Sequence, residues 1–354
     1  MIPVMKPLLP TEEQVAPWLR QMDESRVYTN LGPLVRELER QHAARLNIGA
    51  DHVVSVANAT LGLVGAVELS PVQRWIVPDF TFPATGHAIL QAGRELVLAD
   101  IDPTTWQLDL GNVQEVPDAG IMPVLPFGAP LSFEDWSEFT RVVVDAAASL
   151  GADGWDLADL PSTWAVVFSL HATKTLPAGE GGLVVFGDPD QAARFRAWSN
   201  FGFAGTRLSA LVGTNAKMPE VTAAYGLASL QYWTEERAEW ISNLQRANRI
   251  ARDLGIDTPV QANVGAHPYW IVQMDSEITR DRIVGKLEAE SIESRLWWPV
   301  PLHEMPAFQH RVPATPSPIA THVASTTLGL PMFRGLAHAD IDRVGEVLAV
   351  ALRV

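Results

Sequence analysis

The sequence contains no cysteine among its 354 residues. Disulfide bonds, thiolate nucleophiles, iron–sulfur clusters and cysteine-ligated zinc are therefore all excluded. Positive charge is also scarce, because 26 lysines and arginines stand against 41 aspartates and glutamates, and the net charge is −15. This balance argues against a nucleic-acid partner and against binding to an anionic membrane surface.

Long hydrophobic runs are missing as well, since no segment approaches the roughly 18 apolar residues that a membrane-spanning helix needs. The first ten residues contain one lysine and three prolines but no apolar core, so they do not resemble a signal peptide. Apolar residues nevertheless make up 47% of the chain, which is enough for a sizeable core. We expect a cytoplasmic protein with no membrane partner.

Several well-known catalytic motifs are absent. No glycine-rich dinucleotide motif follows a predicted strand, and the chain has neither a P-loop nor a G-x-S-x-G hydrolase elbow. The nine histidines lack the close spacing to carboxylates that is typical of a metal site, and we expect His42 and His52 at the surface. The sequence therefore predicts no metal site.

Short apolar runs alternate with helical patterns through the first half of the chain. Residues in these runs are apolar at consecutive positions, which is typical of strands covered on both faces of a sheet. The predicted strands are Val53–Val56, Trp75–Pro78, Glu95–Leu98, Ile121–Val124, Arg141–Val144, Trp164–Phe168 and Gly182–Phe186. The alternation predicts a large α/β domain over residues 1–236. A different pattern follows, and it predicts a smaller α+β domain over residues 237–354.

Lys174 is one of only four lysines and lies at an unusual place. It follows the predicted strand Trp164–Phe168 and precedes the glycine-rich segment Gly179–Gly182, at a sheet edge where α/β proteins bind ligands. Taken alone, it would be read as a solvated surface lysine. Asp145, however, ends another apolar strand, where a carboxylate either caps the next helix or is buried for a purpose.

Pyridoxal phosphate (PLP) would account for both residues. This cofactor requires an amine that reacts with its aldehyde, an acid beside its ring nitrogen and an anion site for its phosphate. Lys174 and Asp145 would supply the first two. The segment Asn58–Thr60, at a predicted strand-to-helix turn, would offer N–H groups and a hydroxyl to the phosphate, and Ser169 would add a second hydroxyl.

The order of these segments resembles the DegT/DnrJ/EryC1/StrS family of PLP-dependent sugar aminotransferases over nearly the whole chain. The segments that carry the likeness are Tyr28–Pro33, Asn58–Thr60, Pro78–Thr85, Asp100–Pro103, Val144–Ala147, His171–Lys174, Glu180–Gly182, Asn200–Phe203, Gly213–Met218, Pro301–His303 and Leu328–Pro331. The resemblance implies the type I fold of PLP-dependent transferases, as in aspartate aminotransferase. That fold has a large mixed-sheet α/β domain and a smaller C-terminal α+β domain.

The resemblance also implies roles for the residues at matching positions. Lys174 would form a Schiff base with the cofactor and later serve as the proton shuttle. Asp145 would pair with the pyridinium nitrogen and make the ring an electron sink, while Phe82 would stack on the ring. Thr60 and Ser169 would bind the phosphate.

Asn215 would reach the phosphate from a neighbouring subunit, which implies a homodimer whose active sites lie at the interface. The same resemblance marks five substrate candidates, which are Tyr28, Thr29, Asn30, Lys217 and His303. Plainer interpretations stay open for three of them: Tyr28 as a support of the N-terminal segment, Lys217 in a surface ion pair, and His303 as the cap of a loop.

Two cofactor positions depart from the family pattern. Ala59 stands where the family commonly has glycine in the phosphate turn. Ala148 stands where the family commonly has a glutamine or histidine, whose side chain lies over or beside the ring and can reach its hydroxyl. An alanine can do neither, so either Ser149 or a water would have to replace that contact.

The implied activity is transfer of an amino group from an amino acid, expected to be L-glutamate, to a keto-sugar nucleotide for amino-deoxysugar biosynthesis, with ping-pong kinetics. The Thr29–Pro33 and His171–Lys174 segments look most like enzymes of the viosamine type, which act at C4 of dTDP-4-keto-6-deoxyhexoses. Two alternatives stay open. One is an aminotransferase for an aminocyclitol or aminoquinoid precursor that lacks a nucleotide, and the other is a PLP-binding regulatory protein without turnover.

Overall fold

The structure, a computed structural model, describes residues 1–113, 118–129, 136–258, 265–309 and 316–353. Its strands are β1 (Val53–Val56), β2 (Arg74–Pro78), β3 (Glu95–Ala99), β4 (Gly120–Ile121), β5 (Val142–Asp145), β6 (Trp164–Ser169), β7 (Gly182–Phe186), β8 (Trp270–Gln273) and β9 (Thr327–Leu330). Its helices are α1 (Glu12–Ser25), α2 (Pro33–Arg45), α3 (Ala59–Glu68), α4 (Pro83–Gln91), α5 (Leu110–Val113), α6 (Pro189–Trp198), α7 (Glu220–Gln231), α8 (Trp233–Asp253), α9 (Glu277–Ala289), α10 (Pro318–Thr326) and α11 (His338–Leu352).

Seven strands form one mixed sheet in the order β1-β7-β6-β5-β4-β2-β3. Strand β7 is antiparallel to both of its neighbours, β1 and β6, and the remaining pairs are parallel. Every strand of this sheet except β7 therefore runs in the same direction. As a consequence, the carboxyl ends of β1, β2, β5 and β6 meet at one edge.

Helices cover both faces of the sheet because successive side chains of a strand point to opposite sides. In β5, Val142 and Val144 belong to one apolar cluster, which also includes Leu38 of α2. Val143 belongs to a second cluster, with Leu63 of α3 on the other face. This double burial explains the consecutive apolar residues in the predicted strands.

The prediction of a strand over Ile121–Val124 is wrong for most of that range, because β4 ends at Ile121. Pro123 has no N–H to donate to β5, so one hydrogen bond of the ladder is missing there, and only an isolated bridge between Val124 and Asp145 follows. Its carbonyl still accepts a hydrogen bond of 2.9 Å from the N–H of Asp145. The segment therefore stays beside the end of β5 without being a regular strand.

The C-terminal part of the chain has its own small sheet, in which β8 and β9 pair antiparallel. The proposed domain division between residues 236 and 237 falls within α8. The first residues of the chain also contact the C-terminal part, because the N–H of Ile2 donates to the Ser291 carbonyl at 2.9 Å. None of the described helices is long and apolar enough to cross a membrane.

The expectation that His42 lies at the surface is wrong, since only 1% of it is exposed. His42 lies on α2 four and eight residues after Leu38 and Leu34, so all three share the buried face of the helix. Burial lowers the pKa of His42 to about 3, because a charged imidazole would be desolvated there. His52 is partly buried, and its Nδ1 lies 2.8 Å from the Phe186 carbonyl.

Candidate active site

A cavity of about 810 Å³ opens at the sheet edge where the carboxyl ends of β1, β5 and β6 meet. A volume of this size suits a small-molecule site. Seven of the eight predicted cofactor residues line it, namely Ala59, Thr60, Phe82, Asp145, Ala148, Ser169 and Lys174. The fold therefore brings together residues that are up to 115 positions apart in the sequence.

Asp145 ends β5 and is 6% exposed. The Thr85 hydroxyl donates a 2.8 Å hydrogen bond to one carboxylate oxygen, and the N–H of Ala147 donates to the other at 3.2 Å. Burial raises the pKa of Asp145, while these two hydrogen bonds and the positive charge of Lys174 lower it. Because desolvation is the largest of these effects, a cation placed beside Asp145 in the cavity would be bound favourably.

Thr85 was not identified from the sequence as a site residue. It lies in the first turn of α4, where its hydroxyl is also 2.8 Å from the hydroxyl of Thr81, and both side chains are buried. The two hydroxyls and Asp145 thus form a buried chain of hydrogen bonds. The four-residue spacing of the two threonines is the only local signal for it, and this spacing is common on helices.

Lys174 lies in a turn after β6 that is closed by backbone hydrogen bonds. Its N–H donates to the His171 carbonyl at 2.8 Å, and the N–H of Ala172 donates to the Gly179 carbonyl at 2.7 Å. The Nζ atom donates a 2.8 Å hydrogen bond to the hydroxyl of Tyr269 and lies 5.3 Å from the centre of that ring. The amine is therefore held at the cavity wall rather than in bulk solvent.

The segment Asn58–Thr60 forms the N-terminus of α3 beside the cavity. Asn58 is the N-cap, and its side chain accepts a 2.9 Å hydrogen bond from the N–H of Leu61. Ala59 is the first residue of the helix, a conformation that alanine adopts without strain. A Cβ atom on Gly182 would lie 2.8 Å from the Ala59 nitrogen, so glycine allows β7 to approach this turn closely.

Phe82 and Ala148 present apolar surface to the cavity, although their environments differ. Phe82 is 59% exposed, whereas Ala148 packs against an aromatic cluster that includes Phe127 and Tyr269. Ser149 does not line the cavity; it is fully buried, and its Oγ donates to the Ala129 carbonyl at 3.3 Å. Ser149 therefore does not supply the polar contact that Ala148 lacks.

Asn215 and Lys217 lie outside the cavity of their own chain. Lys217 Nζ donates a 2.6 Å hydrogen bond to Asn215 Oδ1 and lies 4.6 Å from the centre of the Phe201 ring. Burial lowers the pKa of Lys217, and within the described ranges no carboxylate pairs with it. The alternative of a surface ion pair for Lys217 is thus not supported.

The N-terminal substrate candidates Tyr28, Thr29 and Asn30 are exposed and do not line the cavity either. Their segment is fixed by the buried carboxylate of Glu220, which accepts hydrogen bonds from two N–H groups at the start of α2. The N–H of Glu220 in turn donates to the Tyr28 carbonyl at 3.1 Å.

His303 is partly buried and lies outside the cavity lining. Its N–H donates to Asp79 at 3.0 Å, and its Nδ1 lies within hydrogen-bond distance of the same carboxylate. Asp79 is fully buried directly after β2. This geometry favours the interpretation of His303 as a group that closes a loop.

The C-terminal part contributes a wall of the cavity that the sequence did not predict, made of Tyr269, Arg295, Trp297 and Trp298. The Trp298 ring stacks on Phe127 at 4.3 Å and 20°, and the Arg295 guanidinium lies 4.8 Å from the centre of the Trp297 ring. Stacked aromatic faces next to a cation suit a ligand with both apolar and anionic parts.

Comparison with known proteins adds to this geometry. The model of the DegT/DnrJ/EryC1/StrS aminotransferase family matches residues 11–349. Protein Rv3402c of Mycobacterium tuberculosis is 30% identical to the chain, over 97% of this chain and 88% of its own length. The dTDP-4-amino-4,6-dideoxy-D-glucose transaminase of Shigella dysenteriae is 27% identical, over 96% of this chain and 94% of its own length.

Among solved structures, that of DesI in the presence of its TDP-sugar product superposes with a TM-score of 0.88. The two sequences are 33% identical, and the alignment covers 99% of this chain and 93% of DesI. The predicted type I fold of PLP-dependent transferases is thereby confirmed. The chain belongs to the DegT/DnrJ/EryC1/StrS aminotransferase family.

Proposed function

We propose that the protein transfers an amino group from L-glutamate to C4 of a dTDP-4-keto-6-deoxyhexose, with dTDP-4-keto-6-deoxyglucose as the expected acceptor. The protein is an aminotransferase, and its cofactor is pyridoxal 5'-phosphate. The observation that carries the proposal is the shared cavity, in which the amine of Lys174 and the buried carboxylate of Asp145 lie beside the N-terminus of α3.

The residues of the cavity fit this cofactor. Asp145 is a desolvated carboxylate, and a protonated ring nitrogen is the kind of cation that would offset its burial. The free N–H groups in the first turn of α3, with the hydroxyls of Thr60 and Ser169, suit a phosphate. Phe82 offers an exposed flat face on which the pyridine ring would stack.

When bound, the cofactor supplies an electron sink for the carbon that loses a proton. Lys174 would hold the cofactor through Nζ, and the same atom would accept the substrate proton and return it. Asp145 would pair with the ring nitrogen, and the hydrogen bond from the Thr85 hydroxyl would favour its charged form. The aromatic wall of Tyr269, Trp297 and Trp298 would limit the access of water to the bound cofactor from the C-terminal side.

The acceptor is inferred from the relatives and from the shape of the cavity. The Shigella enzyme is named for a dTDP-sugar, and the structure of DesI was solved in the presence of its TDP-sugar product. The likeness to both covers nearly the whole chain. Stacked rings such as Trp298 on Phe127 suit the apolar face of a deoxysugar. Arg295 lies on the same wall and is suited to an anion such as the diphosphate.

The test is to incubate the PLP-loaded protein with L-glutamate and dTDP-4-keto-6-deoxyglucose and to detect the amino sugar by mass spectrometry. We expect 2-oxoglutarate and the amino sugar in equal amounts, with ping-pong kinetics. GDP- and UDP-linked keto-sugars and a keto-cyclitol serve as competing acceptors. If only the cyclitol is aminated, the nucleotide-sugar proposal is wrong. If no amino donor changes the cofactor absorbance, the regulatory alternative is favoured instead.

We also propose a homodimer with shared active sites, because Asn215 and Lys217 lie outside the cavity of their own chain. Complementation tests this arrangement. Lys174→Ala and Asn215→Ala subunits, each of low activity alone, should recover activity when co-expressed, since one site of the mixed dimer then has neither defect. Activity that stays at the level of the separate variants would contradict shared sites.

A further inference from the structure

Tyr269 is the side chain that holds the reactive amine of Lys174. Its hydroxyl accepts the 2.8 Å hydrogen bond from Lys174 Nζ, although the two residues are 95 positions apart. Tyr269 directly precedes β8 in the C-terminal part of the chain, while Lys174 follows β6 of the large sheet. The contact therefore joins the two parts of the chain at the reacting atom.

The position of this hydroxyl is fixed by packing. Tyr269 is 9% exposed, and its ring meets the ring of Phe127 at 5.4 Å and 70° and that of Trp297 at 5.3 Å and 89°. Edge-to-face contacts on two sides restrict rotation of the tyrosine. Removing only the hydroxyl would leave these ring contacts in place, so its chemical role is separable from its structural one.

The cavity lacks a polar side chain at position 148. Ala148 lines the cavity and packs against the same aromatic cluster as Tyr269. Ser149 is committed to the Ala129 carbonyl, as described above. His171, which also lines the cavity, is engaged with its own neighbours, because its Nδ1 lies 2.8 Å from the hydroxyl of Thr173.

The chemistry of the cofactor connects these observations. In pyridoxal phosphate the ring hydroxyl is on the carbon next to the one that carries the aldehyde, and that aldehyde is the group with which Lys174 would react. A hydroxyl within hydrogen-bond distance of Lys174 Nζ is therefore also close to the ring hydroxyl. We propose that Tyr269 is a positioning residue, which orients the Lys174 amine and supplies to the ring hydroxyl the polar contact that Ala148 cannot make. The proposal rests on the proposed use of PLP and Lys174, but not on the identity of the sugar.

The test compares wild type with Tyr269→Phe and follows the visible absorbance of the PLP-loaded protein against pH. A hydrogen bond donated to the ring oxygen stabilises its anionic form, so its loss favours the protonated chromophore. We expect the midpoint of this absorbance titration to rise by about one pH unit in Tyr269→Phe, which is a tenfold change in the proton affinity of the chromophore. The other ionisable groups lining the cavity, Asp145, His171, Glu180 and Arg295, are the same in both proteins.

Three further measurements separate positioning from packing. The rate at which the cofactor-free protein captures PLP should fall about tenfold in Tyr269→Phe, and kcat of the glutamate half-reaction should fall by a similar factor with KM nearly unchanged. Adding Ala148→Gln to Tyr269→Phe should move the midpoint back toward that of wild type. Tyr232→Phe, a tyrosine at the start of α8 outside the cavity, is the matched control.

An unchanged titration midpoint and an unchanged rate of PLP capture in Tyr269→Phe would overturn the proposal. A double variant, Tyr269→Phe with Ala148→Gln, whose midpoint stays at that of Tyr269→Phe would overturn it as well. These readouts need no sugar substrate. A protein that fails to aminate dTDP-4-keto-6-deoxyglucose but shows the expected shifts would contradict the proposed substrate and leave the role of Tyr269 supported.

Discussion

The substitution Thr85→Val removes one hydroxyl from the buried chain beside Asp145 and leaves the side-chain volume nearly unchanged. The Thr85 hydroxyl donates at 2.8 Å, whereas the other donor, the N–H of Ala147, is at 3.2 Å. A hydrogen bond to a charged group contributes about 1.5–3 kcal/mol. Without this hydrogen bond, which lowers the pKa of Asp145, we expect that pKa to rise further.

The consequence should be weaker binding of PLP, because the ring nitrogen needs a charged carboxylate. At neutral pH we expect the affinity to fall about 10- to 100-fold, which matches the energy of the lost hydrogen bond. The sign of the pH dependence follows from the raised pKa. As the pH rises, Asp145 of the variant regains its charge, so the deficit should shrink at alkaline pH and widen at acidic pH.

Titration of the cofactor-free protein with PLP, followed by absorbance from pH 6 to 9, measures this directly. Thr81→Val is the control, because Thr81 reaches Asp145 only through the Thr85 hydroxyl and should cause a smaller loss. A Thr85→Val protein that binds PLP like wild type would refute the reasoning. So would a deficit that does not vary with pH, since that would indicate a packing defect instead of a change in the charge of Asp145.

Three other substitutions test separate parts of the molecule. Lys174→Ala should abolish both transamination and the covalent attachment of PLP detected by mass spectrometry after borohydride reduction, and surviving activity would contradict the mechanism. The folded pKa of His42, about 3, lies below its unfolded value of about 6.5. The free energy of unfolding should therefore fall by about 2–3 kcal/mol between pH 6.5 and 4.5, and urea unfolding of His42→Leu should lack that loss. Gly32→Ala would place a Cβ 2.7 Å from Glu220 Cδ, so we expect a destabilisation of about 1–3 kcal/mol by thermal unfolding, whereas Gly285→Ala, with no atom nearby, should not be destabilised.

The clustering of the proposed cofactor residues could be predicted because these residues follow strands that are recognisable locally. Asp145 and Ser169 end buried strands, and Lys174 follows within one turn. In a sheet whose strands run in one direction, such positions meet at one edge whatever the details of packing. The prediction of β4 is wrong beyond Ile121 for a local reason. The apolar pattern does not take into account that Pro123 lacks an N–H group.

The properties of two other residues could not be predicted because they depend on contacts between distant segments. His42 is a polar, ionisable residue of a type that is common at protein surfaces. It is buried because α2 packs against the sheet. In the sequence Thr85 does not differ from other helical threonines. The fold places it beside Asp145 of β5, which is 60 positions later in the chain. In both cases the side chain gains its property from tertiary packing.

The C-terminal wall of the cavity shows this dependence on tertiary packing most clearly, because its position is fixed by contacts with the large sheet. Asp100 follows β3 and accepts hydrogen bonds from the N–H groups of Ile319 and Ala320 at the start of α10, at 3.0 and 2.8 Å. Residues Ala320, Val323 and Ala324 of that helix belong to the aromatic cluster that contains Tyr269. Asp100 thus positions α10, α10 packs with the cluster, and the cluster fixes the hydroxyl that meets Lys174. Because each link joins segments far apart in sequence, the local pattern that singles out Lys174 cannot single out the tyrosine whose hydroxyl lies 2.8 Å from its amine.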